Sequence, residues 1–253
     1  MEIDKIYNID CLEGMKHIPD GSIDAIICDL PYGTTANEWD CQIPLEPLWE
    51  QYKRIIKKGG PILLFSQQPF TSKLVMSNPQ MFRYEWIWQK AQGTGFLQAK
   101  KMPLKAHENI LVFYDKLPTY NPQMWQSVPY RKKRTGEEKA CECYNEYKHD
   151  KNYDSDMRFP IDVLKIDQDP EFYNSNVICR IHPTQKPVDL LRYLIRTYSN
   201  EGDTILDNCM GSGTTAVACI KEKRHFIGFE LNKEYYDKAC KRIDAERRQL
   251  SLF

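Results

Sequence analysis

An α/β architecture on a mainly parallel sheet follows from three features of this 253-residue chain. Short apolar runs alternate with segments whose apolar residues recur every three and four positions, the pattern of strand–helix–strand units. Two of the runs, Ala25-Ile26-Ile27-Cys28-Asp29 and Thr204-Ile205-Leu206-Asp207, end on an aspartate, as strands do when they present polar groups at their carboxyl ends. The second run opens into the glycine loop Asn208-Cys209-Met210-Gly211-Ser212-Gly213-Thr214-Thr215 and then into a helical pattern. In open α/β sheets, ligands bind outside the carboxyl ends of strands where strand order reverses, so two such ends can face one cleft.

The elements follow in order. Ile6 to Asp10 alternates and ends on an acid, Gly14 to Ile18 is at most a short helix, and Pro19-Asp20-Gly21-Ser22 turns the chain into the strand Ile23–Asp29. Leu45, Leu48, Trp49, Tyr52, Ile55 and Ile56 predict an amphipathic helix over 45–57, stopped by Lys57-Lys58-Gly59-Gly60. Strands are expected at Pro61–Ser66, Arg83–Gln89 and Glu108–Tyr114, with a short helix at Phe70–Met76. From about Asp115 to Arg180 apolar residues thin out and polar residues, proline and tyrosine dominate, which marks an irregular insertion. Order returns after Pro187 with a helix at Val188–Ser199, the strand ending at Asp207, a helix at Gly213–Lys221, a strand at His225–Glu230 and a last helix at Glu234–Arg247. The expected organisation is therefore residues 1–115, an insertion over 116–180, and residues 181–253.

Composition narrows the classes. Lysine plus arginine equals aspartate plus glutamate at 35 each, so no global field draws the chain to nucleic acid and any such attraction must be local. No stretch approaches the roughly 18 to 20 uninterrupted apolar residues of a membrane span, and Met1-Glu2-Ile3-Asp4-Lys5 lacks the character of a signal peptide, so a cytoplasmic location without membrane contact is expected. Nine cysteines, mostly beside apolar segments, read as reduced thiols. Cys141-Glu142-Cys143 with His149 has the wrong spacing for zinc and no second pair, so no metal is expected.

Gly211-x-Gly213-x-x-Ala216 between a strand and a helix satisfies the dinucleotide fingerprint in its glycine-or-alanine form. Glu230 ends the next strand, at the interval where an acid accepts hydrogen bonds from ribose hydroxyls. These residues indicate an adenosine-like cofactor; a nicotinamide oxidoreductase fits them almost as well, and a plain structural glycine turn is the lesser alternative. Asp29-Leu30-Pro31-Tyr32, followed by Gly33, adds a carboxylate and a π-face within one turn, stiffened by Pro31. A flipped nucleobase needs such a face to stack on and acceptors for its exocyclic amine. Standing alone, the pentapeptide is a strand-to-turn exit.

Together these motifs resemble those of DNA amino-methyltransferases. Asp29-Leu30-Pro31-Tyr32 is similar to the family's Asp-Pro-Pro-Tyr catalytic motif with leucine in the second place, and Asp207 to Thr215 resembles its S-adenosylmethionine loop. His182-Pro183-Thr184-Gln185-Lys186-Pro187 resembles the segment that precedes the cofactor helix. The order, catalytic motif before cofactor loop with an insertion between, is similar to the β subclass, and the likeness covers roughly residues 6–115 and 180–243.

The resemblance implies a Rossmann-like, S-adenosylmethionine-dependent methyltransferase sheet. It implies that Asp29 and the Leu30 carbonyl accept the two hydrogens of the target amine while Tyr32 stacks on the extruded base. It also implies that Glu230 binds the ribose hydroxyls, that Asp10 lies near the cofactor adenine, and that Asp207, Gly211, Gly213, Thr214 and Lys186 frame the methionine half. Adenine N6 is the implied target, because an acidic first residue is typical of that group and serine of the N4-cytosine enzymes; N4-cytosine is the alternative. Carbon-5 methylation needs a cysteine nucleophile, and no Pro-Cys occurs at a strand end. Cys28 should point to the face opposite Asp29.

The implied partner is double-stranded DNA. Arg131-Lys132-Lys133-Arg134 and the Lys100-Lys101 pair with Lys105 are the local basic clusters suited to phosphate contact, or are simply solvated charge. A homodimer and a cognate restriction nuclease are both compatible with the resemblance. So is a catalytically inactive relative that only binds DNA, although intact Asp29 and Tyr32 weigh against it.

Overall fold

The computed structural model describes residues 1–33, 40–127, 156–166 and 185–250. Its strands are β1 (Lys5–Tyr7), β2 (Ala25–Asp29), β3 (Ile62–Ser66), β4 (Phe82–Thr94), β5 (Lys105–Phe113), β6 (Trp125–Gln126), β7 (Met157–Arg158), β8 (Val163–Leu164), β9 (Thr204–Asp207) and β10 (His225–Phe229). Its α-helices are α1 (Cys11–Met15), α2 (Leu45–Ile55), α3 (Phe70–Ser77), α4 (Val188–Tyr198), α5 (Thr214–Lys221) and α6 (Lys233–Leu250).

The chain forms two compact units, one of Met1–Asn121 with Asp162–Phe253 and one of Pro122–Ile161. Among the described residues the first unit holds an eight-stranded sheet in the order β1-β10-β9-β2-β3-β5-β4-β8. Residues 163–164, inside the expected insertion, belong to this sheet as β8, parallel to β4. In the second unit, β6 and β7 pair antiparallel, and the Trp125 indole N–H donates to the Phe159 carbonyl at 3.2 Å.

Strand alternation sorts the side chains onto two faces. Ala25, Ile27, Leu63, Phe65, Ile110, Val112, Ile205 and Phe226 pack with α4, α5 and α6. Ile26, Cys28, Ile62, Leu64, Leu111, Phe113, Leu206 and Ile227 pack with α1, α2 and α3. Cys28 accordingly lies in the core on the α2 face, where burial pushes its thiol up to about 12. The helices form because each has an apolar stripe to bury; in α2, Leu48, Trp49, Tyr52 and Ile55 are all in the core.

β5 departs from the parallel expectation. It runs antiparallel to both β3 and β4, so the β4–β5 segment is a hairpin. The physical reason is in the connection: a parallel return needs a crossover of a dozen or more residues, usually a helix, whereas only a single 3₁₀ turn at Phe96–Gln98 lies between these strands.

The position of the site follows from one pairing. β2 sits beside β9, with Ala25 opposite Ile205 and Ile26 opposite Leu206. From β9 the chain steps to β10 on one side, and from β2 it steps to β3 on the other, so strand order reverses between them. This is the switch point at which open α/β sheets bind ligands.

Candidate active site at the carboxyl edge of the sheet

A cavity of about 770 Å³ opens at this switch point, within the roughly 300–1,000 Å³ of small-molecule sites. Asp29, Leu30, Pro31 and Tyr32 after β2 line it, as do Asp207, Gly211 and Thr214 after β9. Asp10, Lys186 and Glu230 complete the set, so the two strand-end motifs share one cleft.

On the β2 side, Asp29 is the last strand residue and its carboxylate is doubly engaged. The Tyr32 hydroxyl donates to Oδ1 at 2.8 Å and the Lys186 ammonium donates to Oδ2 at 2.5 Å. Burial raises the Asp29 carboxyl above its ordinary value; Lys186 opposes that shift and Glu108 adds to it. The turn after Asp29 is held by residues from beyond the motif. Gly33 N–H donates to Asp40 Oδ1 at 2.8 Å, and the Gln42 side-chain amide donates to the Tyr32 carbonyl at 2.6 Å. The Tyr32 ring stacks on Phe70 of α3, with centroids 5.4 Å apart. One ring face is thus backed by protein, which fixes the plane of the other.

Lys186 sits against Asp29 rather than at the glycine loop. Its ammonium also lies 3.2 Å from Glu108 Oε2, and Glu108 Oε1 is 2.5 Å from the Lys90 ammonium. Burial works against the charge on Lys186, but Asp29 and Glu108 outweigh it and hold the ammonium at about 12. Burial likewise works to raise Glu108, yet Lys186 and Lys90 keep its carboxyl below the ordinary value.

On the β9 side the glycine loop is tied down by its own acids. Asp207 Oδ1 accepts from Cys209 N–H at 3.0 Å and Oδ2 from the Thr215 hydroxyl at 2.6 Å. Asn208 Oδ1 accepts from the Tyr52 hydroxyl of α2 at 2.5 Å. Gly211 adopts a φ of 54° and lines the cavity. Gly213, also left-handed at 77°, lies outside the lining; a Cβ there would meet Ala239 Cβ of α6 at 3.2 Å, so its bareness lets the two helices pack. Thr214 is buried and bonded to Ser212 and Arg242.

Glu230 follows β10 and accepts Gly211 N–H on Oε2 and Asn232 N–H on Oε1, both at 2.8 Å. A carboxylate offers about four acceptor sites, so each oxygen keeps one lone pair for a ligand hydroxyl. Asp10 caps α1, accepting from Leu12 and Glu13 N–H. A bound adenosine with a vicinal diol fits this acceptor set: two anchored carboxylate oxygens at Glu230 with the glycine loop beside them.

Burial raises the Asp207 carboxyl from 3.8 to about 6, against the Thr215 and Cys209 hydrogen bonds. Between those values the folded protein holds a proton that the unfolded chain releases, so stability declines as pH rises through the window and then levels off. Asp207→Asn is expected to flatten that decline, which amounts to about 2–3 kcal/mol for a shift of this size. Denaturant melts from pH 4 to 7 measure it, and parallel profiles for the two proteins would refute it.

The remaining expected residues divide in two. Lys100 and Lys101 are exposed on the β4–β5 hairpin beside the exposed apolar residues Phe96, Leu97 and Met102. Tyr130, the Arg131-Lys132-Lys133-Arg134 run, the Cys141 and Cys143 pair and His182-Pro183-Thr184 lie outside the described residues. Reading the sequence misses Lys90, Glu108, Asp40, Gln42, Tyr52 and Phe70. The one available signal is that Glu108-Asn109 precedes the apolar run Ile110–Phe113, and it has meaning only once β5 is known to run backwards, which puts that end of the run at the catalytic edge.

With this geometry in hand, comparison with known proteins is direct. Residues 23–241 match the DNA methylase family model of N6 and N4 enzymes. The type II methyltransferase M.HpaI of Haemophilus parainfluenzae is 31% identical over 94% of this chain and 73% of its own length. The DNA adenine methyltransferase YhdJ of Escherichia coli (strain K12) is 28% identical over 96% of this chain and 83% of its own. The M1.HpyAVI–SAM complex shares the fold with a TM-score of 0.61 and 23% identity, covering 94% of this chain and 98% of that one. Fold and site thus define an S-adenosylmethionine-dependent transferase. The chain belongs to the DNA methylase family and is a DNA amino-methyltransferase. Among the described residues no helix is long and apolar enough to cross a membrane.

Proposed function

We propose that this enzyme methylates adenine at N6 in duplex DNA after extruding the base. The observation that carries the reading is Asp29 at the end of β2, sharing one cavity with Tyr32 and Glu230. An acid in the first place of the motif, together with the adenine specificity in the name of YhdJ, favours adenine over cytosine.

In this reading Asp29 and the Leu30 carbonyl accept the two amine hydrogens. They thereby turn the nitrogen lone pair out of conjugation with the ring. Pro31 stiffens the turn, and Tyr32, backed by Phe70, stacks on the base with its free face. S-adenosylmethionine supplies a methyl group already activated by positive sulfur, so the protein's task is alignment and exclusion of water. Glu230 holds the ribose hydroxyls, Asp10 lies by the adenine, and Gly211 lets the ligand approach the backbone. Asp207, Gly213 and Thr214 keep the loop in shape, and Lys186 serves Asp29.

DNA phosphates are assigned to Lys100 and Lys101, and to Arg131, Lys132, Lys133 and Arg134, with the sequence read by the insertion over 116–180. The type II name of M.HpaI extends the proposal to a cognate restriction nuclease.

Incubation with labelled cofactor and DNA of mixed sequence, followed by nucleoside analysis, tests the reading. N6-methyladenine is expected; N4-methylcytosine, or no incorporation, overturns it. The Lys100→Ala, Lys101→Ala double variant should reduce the slope of log affinity against log salt by about two. An unchanged slope removes those lysines from the DNA interface.

A further inference from the structure

Two charges, the buried Glu108 and the partly buried Lys90, take no part in the scheme above. Their side chains are 10% and 16% exposed, with Lys186 at 9% between Glu108 and Asp29. The four groups come from separate elements: Asp29 from β2, Lys90 from β4, Glu108 from β5 and Lys186 from the segment before α4. They form one chain of alternating sign, Lys90–Glu108–Lys186–Asp29, with contacts of 2.5, 3.2 and 2.5 Å.

Such a chain poses a problem for an acceptor. An ammonium at 2.5 Å from Asp29 Oδ2 draws charge from the oxygen offered to the target amine and occupies the space beside it. The ammonium has somewhere else to go. Glu108 Oε2 is already 3.2 Å from it, is buried, and makes no hydrogen bond of good geometry with any described group. Glu108 Oε1 is held by Lys90, so the second carboxylate keeps a partner whichever way Lys186 leans. The Lys186 ammonium also rides over the Phe65 ring at 5.2 Å, a surface along which a cation can shift without losing all its company.

We propose that Glu108 is a positioning residue that gives the Lys186 ammonium a second seat, so that arrival of the target amine moves this ammonium off Asp29 while Asp29 stays ionised. Asp29 is then closed by Lys186 in the free enzyme and open as an acceptor in the DNA complex, with no change in the net charge of the pocket. The proposal rests on Asp29 being the amine acceptor.

Glu108→Gln removes the second seat and strands Lys186 on Asp29. Expected are an unchanged affinity for S-adenosylmethionine and a kcat/KM for DNA lowered between about ten- and a hundredfold, the worth of a hydrogen bond to a charged group. The pH profile separates this from damage to the fold. The groups beside Asp29 are Lys186, Glu108 and Tyr32, and Asp207 and, from the opposite face of β2, Cys28 act on it only through their charge. Loss of the Glu108 charge should move the acid limb of activity to lower pH, and Lys186→Met should move it to higher pH. A purely structural role lowers both melting temperatures and leaves the limb where it was. Wild-type kcat/KM and an unmoved limb in Glu108→Gln overturn the proposal. Full activity in Asp29→Ala overturns the underlying reading instead. Should Glu108→Gln fail to fold, Lys90→Met serves: it frees Glu108 to pull harder on Lys186, so the acid limb should rise, and an unmoved limb refutes the inference.

Discussion

Replacing Asp29 with alanine is expected to lower methyl transfer by at least about a hundred- to a thousandfold, the usual effect of deleting one prepositioned polar contact at a reacting centre. Cofactor affinity should stay within about twofold, because among the described residues the hydrogen bonds that anchor Glu230 come from Gly211 and Asn232 and not from Asp29, and a group that touches only the amine adds nothing to cofactor binding. The fold should survive. Asp29 stands at the end of β2, and the Lys186 ammonium that it leaves behind still has Glu108 at 3.2 Å. Single-turnover transfer with labelled cofactor, paired with calorimetric titration, measures both quantities. Retained transfer would remove Asp29 from the reaction, and loss of both would point to a collapsed site.

Glu230→Gln is the second large effect, and it acts on the other ligand. Both carboxylate oxygens accept a main-chain N–H, from Gly211 and from Asn232. An amide in that place must set its NH₂ against one of these donors, so it loses an anchor as well as an acceptor. Removing charged acceptors from two hydroxyls and breaking one anchor should cost about 3 kcal/mol or more in cofactor binding, a Kd raised by roughly a hundredfold or more. In a thermal melt, cofactor at a hundred times the wild-type Kd stabilises the wild type by about 2.7 kcal/mol, and it should leave the variant nearly unmoved. An unchanged Kd would remove Glu230 from the ribose site.

How much of this was readable in advance depended on direction. Asp29, Asp207 and Glu230 each close an apolar run, and in parallel strands the last residue is at the ligand edge, so a linear sequence shows them. Glu108 stands two residues ahead of such a run, Ile110–Phe113. It reaches the same edge only because β5 is reversed, which no local pattern announces. Lys186 was visible as part of a family-like segment, yet its ion pair with Asp29 joins residues 157 positions apart and depends on tertiary structure alone. Asp40 and Gln42, which hold the turn after Asp29, carry no periodic signal, since loop residues are placed by the hydrogen bonds they make.

The adjacency of β2 and β9 has a consequence for biosynthesis. Across 180 positions of chain, Asp24 N–H donates to the Thr204 carbonyl at 3.0 Å, and Asp24 Oδ2 accepts Thr204 N–H at 2.9 Å. A nascent polypeptide emerging from the ribosome therefore carries half a cleft until β9 and β10 have been made, and contacts of such long sequence separation form late. Methylating competence should switch on only after the segment from β9 to Glu230 has cleared the exit tunnel.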